Sequence, residues 1–309
     1  MKNFKKKALL PAIIMVMVSV IALSSATYAW FTVGNDAQLG KLDVNVVAAS
    51  GIQLSLDAAS WKSSITTDEI KAVAVFPADG VQINPVSTNA KTNANGRLDF
   101  YKGEINADGE TLTSTLLEAP GEANGQLTPG SADYITFDVY VKVNNAAKLY
   151  LNADSKVTSE IADGCIATRV AFVDQGYVAI DAKPVDAMKL AASGAKAVVW
   201  EPNATTHAVE AIQLGTAVEG GASANPYKGL KAPAADVPNE PNGTHSALEA
   251  VTTTDSIGVK ESGLIAELEA GINKITVTIW LEGQDGDCVN TISGGDISTF
   301  LKFTKVDVA

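Results

Sequence analysis

The sequence predicts an all-β protein. The expected form is an antiparallel, jelly-roll-like sandwich with short helices and one large loop insertion, preceded by an N-terminal signal helix. Three observations carry this. Residues 133–143 and 274–282 alternate apolar and polar side chains without a break, the period of a strand with one buried face. Turn-forming pairs recur between the apolar runs, among them Asp79-Gly80, Asn95-Gly96, Asn124-Gly125 and Asp285-Gly286, and such pairs favour tight reversals. A lysine-headed apolar run opens the chain.

That run is read first. Lys2, Lys5, Lys6 and Lys7 form a basic head, an apolar stretch follows to about Leu23, and small residues lead to Ala29. This is the anatomy of a secretory signal peptide. Cleavage after Ala29 places Thr27 at the −3 position, and cleavage after Ala26 places Ser24 there; both are small-residue sites. The expected division is therefore a signal peptide over 1–29 and a single β-sandwich domain over 30–309. An uncleaved membrane anchor is the alternative, since the run has about the length at which the two readings overlap. Pro11, Ser19, Ser24 and Ser25 weaken it as a permanent span. Beyond the cut the chain begins Trp30-Phe31-Thr32-Val33, an aromatic start followed by polar residues.

In 133–143, Ile135, Phe137, Val139, Val141 and Val143 fall on one face, with Thr136, Asp138, Tyr140 and Lys142 on the other. In 274–282, Ile275, Val277, Ile279 and Leu281 face inward, while Thr276, Thr278, Trp280 and Glu282 face out. Further strands are expected at 42–48, 52–56, 72–76, 98–102, 148–152, 166–173, 197–200 and 299–306, and short helices at 60–71 and 185–192. Many short strands separated by polar turns argue for a sandwich. The stretch 202–262 is rich in Ala, Gly, Pro, Asn and Thr and reads as an insertion on the rim, either a displayed loop or an idle excursion. Its two glycosylation sequons, at Asn203 and Asn242, are read as coincidental.

Composition narrows the function. Setting aside the four leader lysines leaves 19 basic against 35 acidic residues, a net charge of about −16. An acidic surface repels nucleic acid, and nucleic-acid binding is not expected. The only arginines are Arg97 and Arg169. Cys165 and Cys288 are the two cysteines; in an exported chain the expected state is a disulfide, with two buried free thiols as the alternative. With two histidines, no HExxH pair, no GxSxG elbow and no phosphate-binding glycine loop, the material for catalysis is thin, and the chain is read as not an enzyme. No cofactor is expected. The carboxylates Glu282, Asp285 and Asp287 offer a weak calcium candidate, but the preferred reading is a solvated turn tethered by Cys288.

The passage SSATYAWFTVGNDAQLGKLDVNV, residues 24–46, resembles the start of TasA and camelysin-type secreted proteins of Gram-positive bacteria. The shared marks are a small-aromatic-small leader end, an aromatic pair, and a Gly-x-Leu-Asp-hydrophobic strand at Gly40-Lys41-Leu42-Asp43-Val44. Residues 275–295 are also similar to a recurrent ending among clostridial exported proteins. Together the two ends cover about a quarter of the chain.

The resemblance implies a jelly-roll subunit cut by a SipW-type signal peptidase and assembled into extracellular biofilm-matrix filaments, the freed N-terminal segment of one copy adding as a strand to the next. Camelysin's metalloprotease activity is not carried over, because no zinc motif is present. The residues permit the same mechanism on their own terms. Trp30, Phe31 and Val33 supply apolar anchors on an extended segment, as strand addition requires. The expected partners are thus copies of the same chain, with contact to a membrane only through an uncleaved leader. A monomeric or membrane-anchored surface-binding module is the alternative.

Overall fold

The computed structural model describes residues 42–49, 51–77, 83–105, 111–203, 206–214, 242–246, 253–254, 263–289 and 296–308. In chain order the strands are β1 (Leu42–Ala48), β2 (Gln53–Ser55), β3 (Ser64–Ile65), β4 (Tyr101–Ile105), β5 (Thr111–Leu116), β6 (Glu122–Ala123), β7 (Gln126–Leu127), β8 (Tyr134–Val143), β9 (Ala147–Leu151), β10 (Lys156–Thr158), β11 (Thr168–Val178), β12 (Val198–Trp200), β13 (Asn242–Ser246), β14 (Thr253–Thr254), β15 (Leu264–Leu268), β16 (Gly271–Leu281) and β17 (Ile297–Asp307). The helices are α1 (Thr67–Lys71), α2 (Pro184–Met188) and α3 (Val209–Leu214). Among the described residues no helix is long and apolar enough to cross a membrane.

Two six-stranded sheets face one another. The first runs β15-β9-β17-β1-β3, with β10 also paired to β17; the second runs β14-β12-β11-β16-β8-β2. The all-β expectation holds, with a qualification to its antiparallel character: β1 lies parallel to β17, and β14 parallel to β12. The alternating apolar residues decide which face meets the core. Val44 and Val46 of β1, Phe137 and Val139 of β8, Val277 and Ile279 of β16, and Leu301 and Phe303 of β17 all enter one cluster. Phe172 and Phe303 meet across it edge to face, 6.1 Å between ring centroids.

The expectation of a single buried face for 133–143 and 274–282 is corrected. Both faces of β8 and β16 are covered. A further layer, built from 83–100 and the α2 region, lies over the outer face of the second sheet. Phe100 stacks on Tyr134 at 4.3 Å and meets Trp280 edge-on at 5.4 Å. Beside this apolar patch sits a buried ionic lock. Arg97 donates through both terminal nitrogens to Asp138, at 2.6 and 2.8 Å, and through Nε to Glu122 at 2.6 Å. Lys274 Nζ lies 3.2 Å from Asp138 and donates to the carbonyls of Gly125, Met188 and Leu190. Burial pulls the Arg97 guanidinium down, but Asp138 and Glu122 outweigh it and hold it above its ordinary value. Burial pushes Asp138 up; Arg97 and Lys274 outweigh that and hold it below the usual carboxylate range. The polar side chains of the alternating pattern thus face a second interior, where Asp138, Lys274 and Thr276 find partners, while the buried Tyr140 hydroxyl has no hydrogen-bond partner among the described residues.

Smaller differences follow local chemistry. The helix expected over 60–71 shortens to Thr67–Lys71 because Thr66 and Glu69 form a capping box at its start. The one expected over 185–192 is Pro184–Met188, with proline in its favoured first turn. Residues 72–76 form no strand, only an isolated bridge at Val75. Part of the 202–262 insertion is built into the fold: α3 buries Ala211, β13 pairs with β5, and β14 pairs with β12.

Candidate functional site

At one pole of the sandwich β16 ends, β11 begins, and both β1 and β17 start. The turn after β16 carries Glu282 through Val289, and it is held in place by the backbone. Glu282 N–H donates to Ala167 O at 2.9 Å, Gly283 N–H to Val86 O at 3.1 Å, and Cys288 N–H to Asp285 O at 3.0 Å. The expectation of a solvated turn is corrected here. Glu282, Asp285 and Asp287 are all buried, because residues of 83–100, 165–169, 201–203 and 206–212 close over them.

Each carboxylate has its own set of donors. Glu282 accepts from Trp280 Nε1 at 2.8 Å and from Gln284 N–H at 2.9 Å. Asp285 accepts from Arg169, whose guanidinium also reaches Glu201 at 2.8 Å. Asp287 lies 2.7 Å from His207 Nδ1 and accepts from Ala208 N–H at 3.0 Å, just ahead of α3. Burial pushes Glu282 up to about 7, partly offset by the bonds from Trp280, Ser87 and Gln284. Burial, with Asp285 beside it, pushes Asp287 up to about 6 against the pull of His207. Burial also raises both thiols, Cys288 well above its ordinary value.

No protein-family model, curated protein or solved structure matches the chain. The chemistry of this pole therefore rests on its own geometry.

That geometry brings some of the expected residues together and separates their roles. Cys165 and Cys288 both lie at this pole, against the main core, yet they are free thiols. The two sulfurs are not joined in this structure: Cys288 is fully enclosed, and Cys165 accepts a 3.8 Å contact from Asn203 Nδ2. Glu282, Asp285 and Asp287 do not converge as calcium ligands. Their oxygens are turned to Trp280, Arg169 and His207 respectively, and among the described residues no three His, Cys, Asp or Glu side chains group as a metal site. Ala29, Trp30, Phe31 and Val33 lie outside the described residues.

Three members of the cluster escape sequence reading. Arg169 sits in an apolar strand, Glu201 follows one, and His207 occupies a polar stretch that reads as loop. The available signal was numerical: Arg169 is one of only two arginines in an acidic chain, and a buried arginine demands carboxylates.

The opposite pole has a different character. β1 stops at Ala48, opposite Phe303, and Ala49 N–H makes the last bond to Phe303 O at 2.9 Å. β17 continues to Asp307, still paired on its other side with β9. On the flank that β1 has left, alternation directs the main-chain groups of Lys305 and Asp307 outward, and among the described residues no backbone partner meets them there. Val306 and Val308 are exposed beside this edge, at 42% and 55%.

Proposed function

We propose that the chain is a secreted structural protein, the subunit of an extracellular biofilm-matrix or surface filament, assembled when the segment containing Trp30, Phe31 and Val33 adds as a strand to another copy. The reading includes export with removal of the leader, a jelly-roll form for the sandwich, and no enzymatic role.

One observation carries it: the parallel pairing of β1 with β17, and the way β17 outruns it. The segment before β1 joins the fold at Leu42, at the pole of the Glu282 turn. The unpaired flank of β17 lies at the other pole. A strand entering there would run parallel to β17 and continue the line of β1. Unmet main-chain groups supply hydrogen bonds in such an addition, and apolar side chains supply the anchor. Because the donor segment enters the fold at one pole and the acceptor edge lies at the other, a contact between copies would run head to tail without closing, which builds a filament.

The test uses the chain beginning at Trp30, a version beginning at Gly34, and a version carrying Val306→Lys with Val308→Lys. Light scattering and negative-stain microscopy are expected to show fibres for the first and monomers for the other two. Fibres formed by the chain beginning at Gly34 would sink the donor-strand reading.

A further inference from the structure

Among the described residues, the Glu282 pole gathers more carboxylates than cationic groups. Four carboxylates, Glu201, Glu282, Asp285 and Asp287, gather around the single guanidinium of Arg169 and the imidazole of His207. Arg169 is directed at Glu201 and Asp285, and His207 at Asp287. Glu282 has neither. Its donors are neutral: the Trp280 indole, the Gln284 amide and the hydroxyl of Ser87, which Gln284 Nε2 also bonds at 2.7 Å. An enclosed carboxylate with neutral donors is costly when ionised. Cys288 adds no charge, since its surroundings keep it a thiol.

We propose that the turn 282–289 is a proton-set latch, held shut by a proton on Glu282 and loosened when that proton is lost. The turn is tied to the body by Gly283 to Val86, by Gln284 to Ser87, and by Asp287 to the start of α3. Opening it hydrates Glu282 and releases the anchor of α3. The inference stands independently of the filament reading.

The direction follows from linkage. Glu282 holds its proton more tightly folded than unfolded, rising from an ordinary 4.5 to about 7. Its contribution to stability is complete below about pH 4.5 and is lost as pH rises through 7. Asp287, pushed up to about 6, titrates in the same range, so the test isolates Glu282 by substitution. Glu282→Gln copies the protonated form and keeps an acceptor for Trp280.

Hydrogen exchange of amides 283–289 in the full chain, corrected for the intrinsic pH dependence of exchange, reads the latch between pH 5 and pH 8. In the wild type, protection there is expected to fall more than tenfold, one decade for each unit by which the site's affinity differs, while β16 amides at 275–279 change little. In Glu282→Gln the turn is expected to stay protected at pH 8. Unchanged wild-type protection across this range would overturn the latch, and this reading needs no variant to fold. Equal pH slopes in wild type and Glu282→Gln would overturn the assignment to Glu282.

Discussion

Arg97 and Asp138 show how much one buried residue can carry. Asp138 takes both terminal nitrogens of Arg97, the Thr276 hydroxyl at 2.7 Å, and the charge of Lys274. Removing the arginine strands a carboxylate in a dry interior. Arg97→Met is therefore expected to destabilise by about 3–5 kcal/mol in a denaturant titration; a loss below 1 kcal/mol would mean that Lys274 alone satisfies Asp138. Backbone strain is a second lever at this scale. Ala58 is buried with φ +54°, in the left-handed region that costs a residue with a Cβ about 1–2 kcal/mol. Ala58→Gly relieves that strain but gives up a buried methyl worth about 0.8 kcal/mol and adds the chain entropy of glycine, so the melting temperature is expected to stay nearly unchanged. Gly125 is the converse case: at φ +80°, a Cβ there would stand 2.6 Å from Met188 O. Gly125→Ala should push apart the two carbonyls that, with Leu190 O, hold Lys274.

At the scale of elements, the edge beside β1 is closed by a side chain as well as by a strand. β3 pairs only at Val46 and Val47. Further along, the Thr67 hydroxyl accepts from Val44 N–H and donates to Val44 O, both at 3.0 Å, standing in for a missing strand residue. Thr67→Val keeps the shape and removes both bonds. It is expected to cost about 1–3 kcal/mol, measured by chemical unfolding, and to expose an edge of the kind that invites pairing between chains. How legible these elements are depends on how far each is decided locally. The alternation of Ile135 to Val143 and the run Leu42–Ala48 fix a strand and its inward face, and the structure places both as expected. The outward face reads as solvent-facing because Thr, Asp and Lys occupy it, and only long-range contacts with 83–100 reveal that it is a second interior. Likewise Glu282-Gly283-Gln284-Asp285 has the composition of an open turn. Nothing near it in sequence announces that Arg169 and His207, more than seventy residues away, will enclose it.

For the whole molecule, polarity is the organising property. The Glu282 pole receives the chain from residues 1–41 and carries the enclosed carboxylates. The other carries the unmatched flank of β17 with Val306 and Val308. Val306→Lys with Val308→Lys should leave the melting temperature nearly unchanged, since exposed substitutions away from special features shift stability by about 0.5 kcal/mol or less. The same change should abolish fibres. Equal fibre yield from the double variant would move the acceptor to another edge. The parallel partnership of β1 and β17 also sets an order of events in time. Residue 42 waits for residue 297, and β17 is the strand on which β1, β9 and β10 all depend. The first sheet cannot close until synthesis has reached the last strand, and loop closure over that span is slow. A chain not yet made as far as Ile297 therefore has no finished first sheet, and β1 and β9 come to lie in one sheet only when β17 arrives between them.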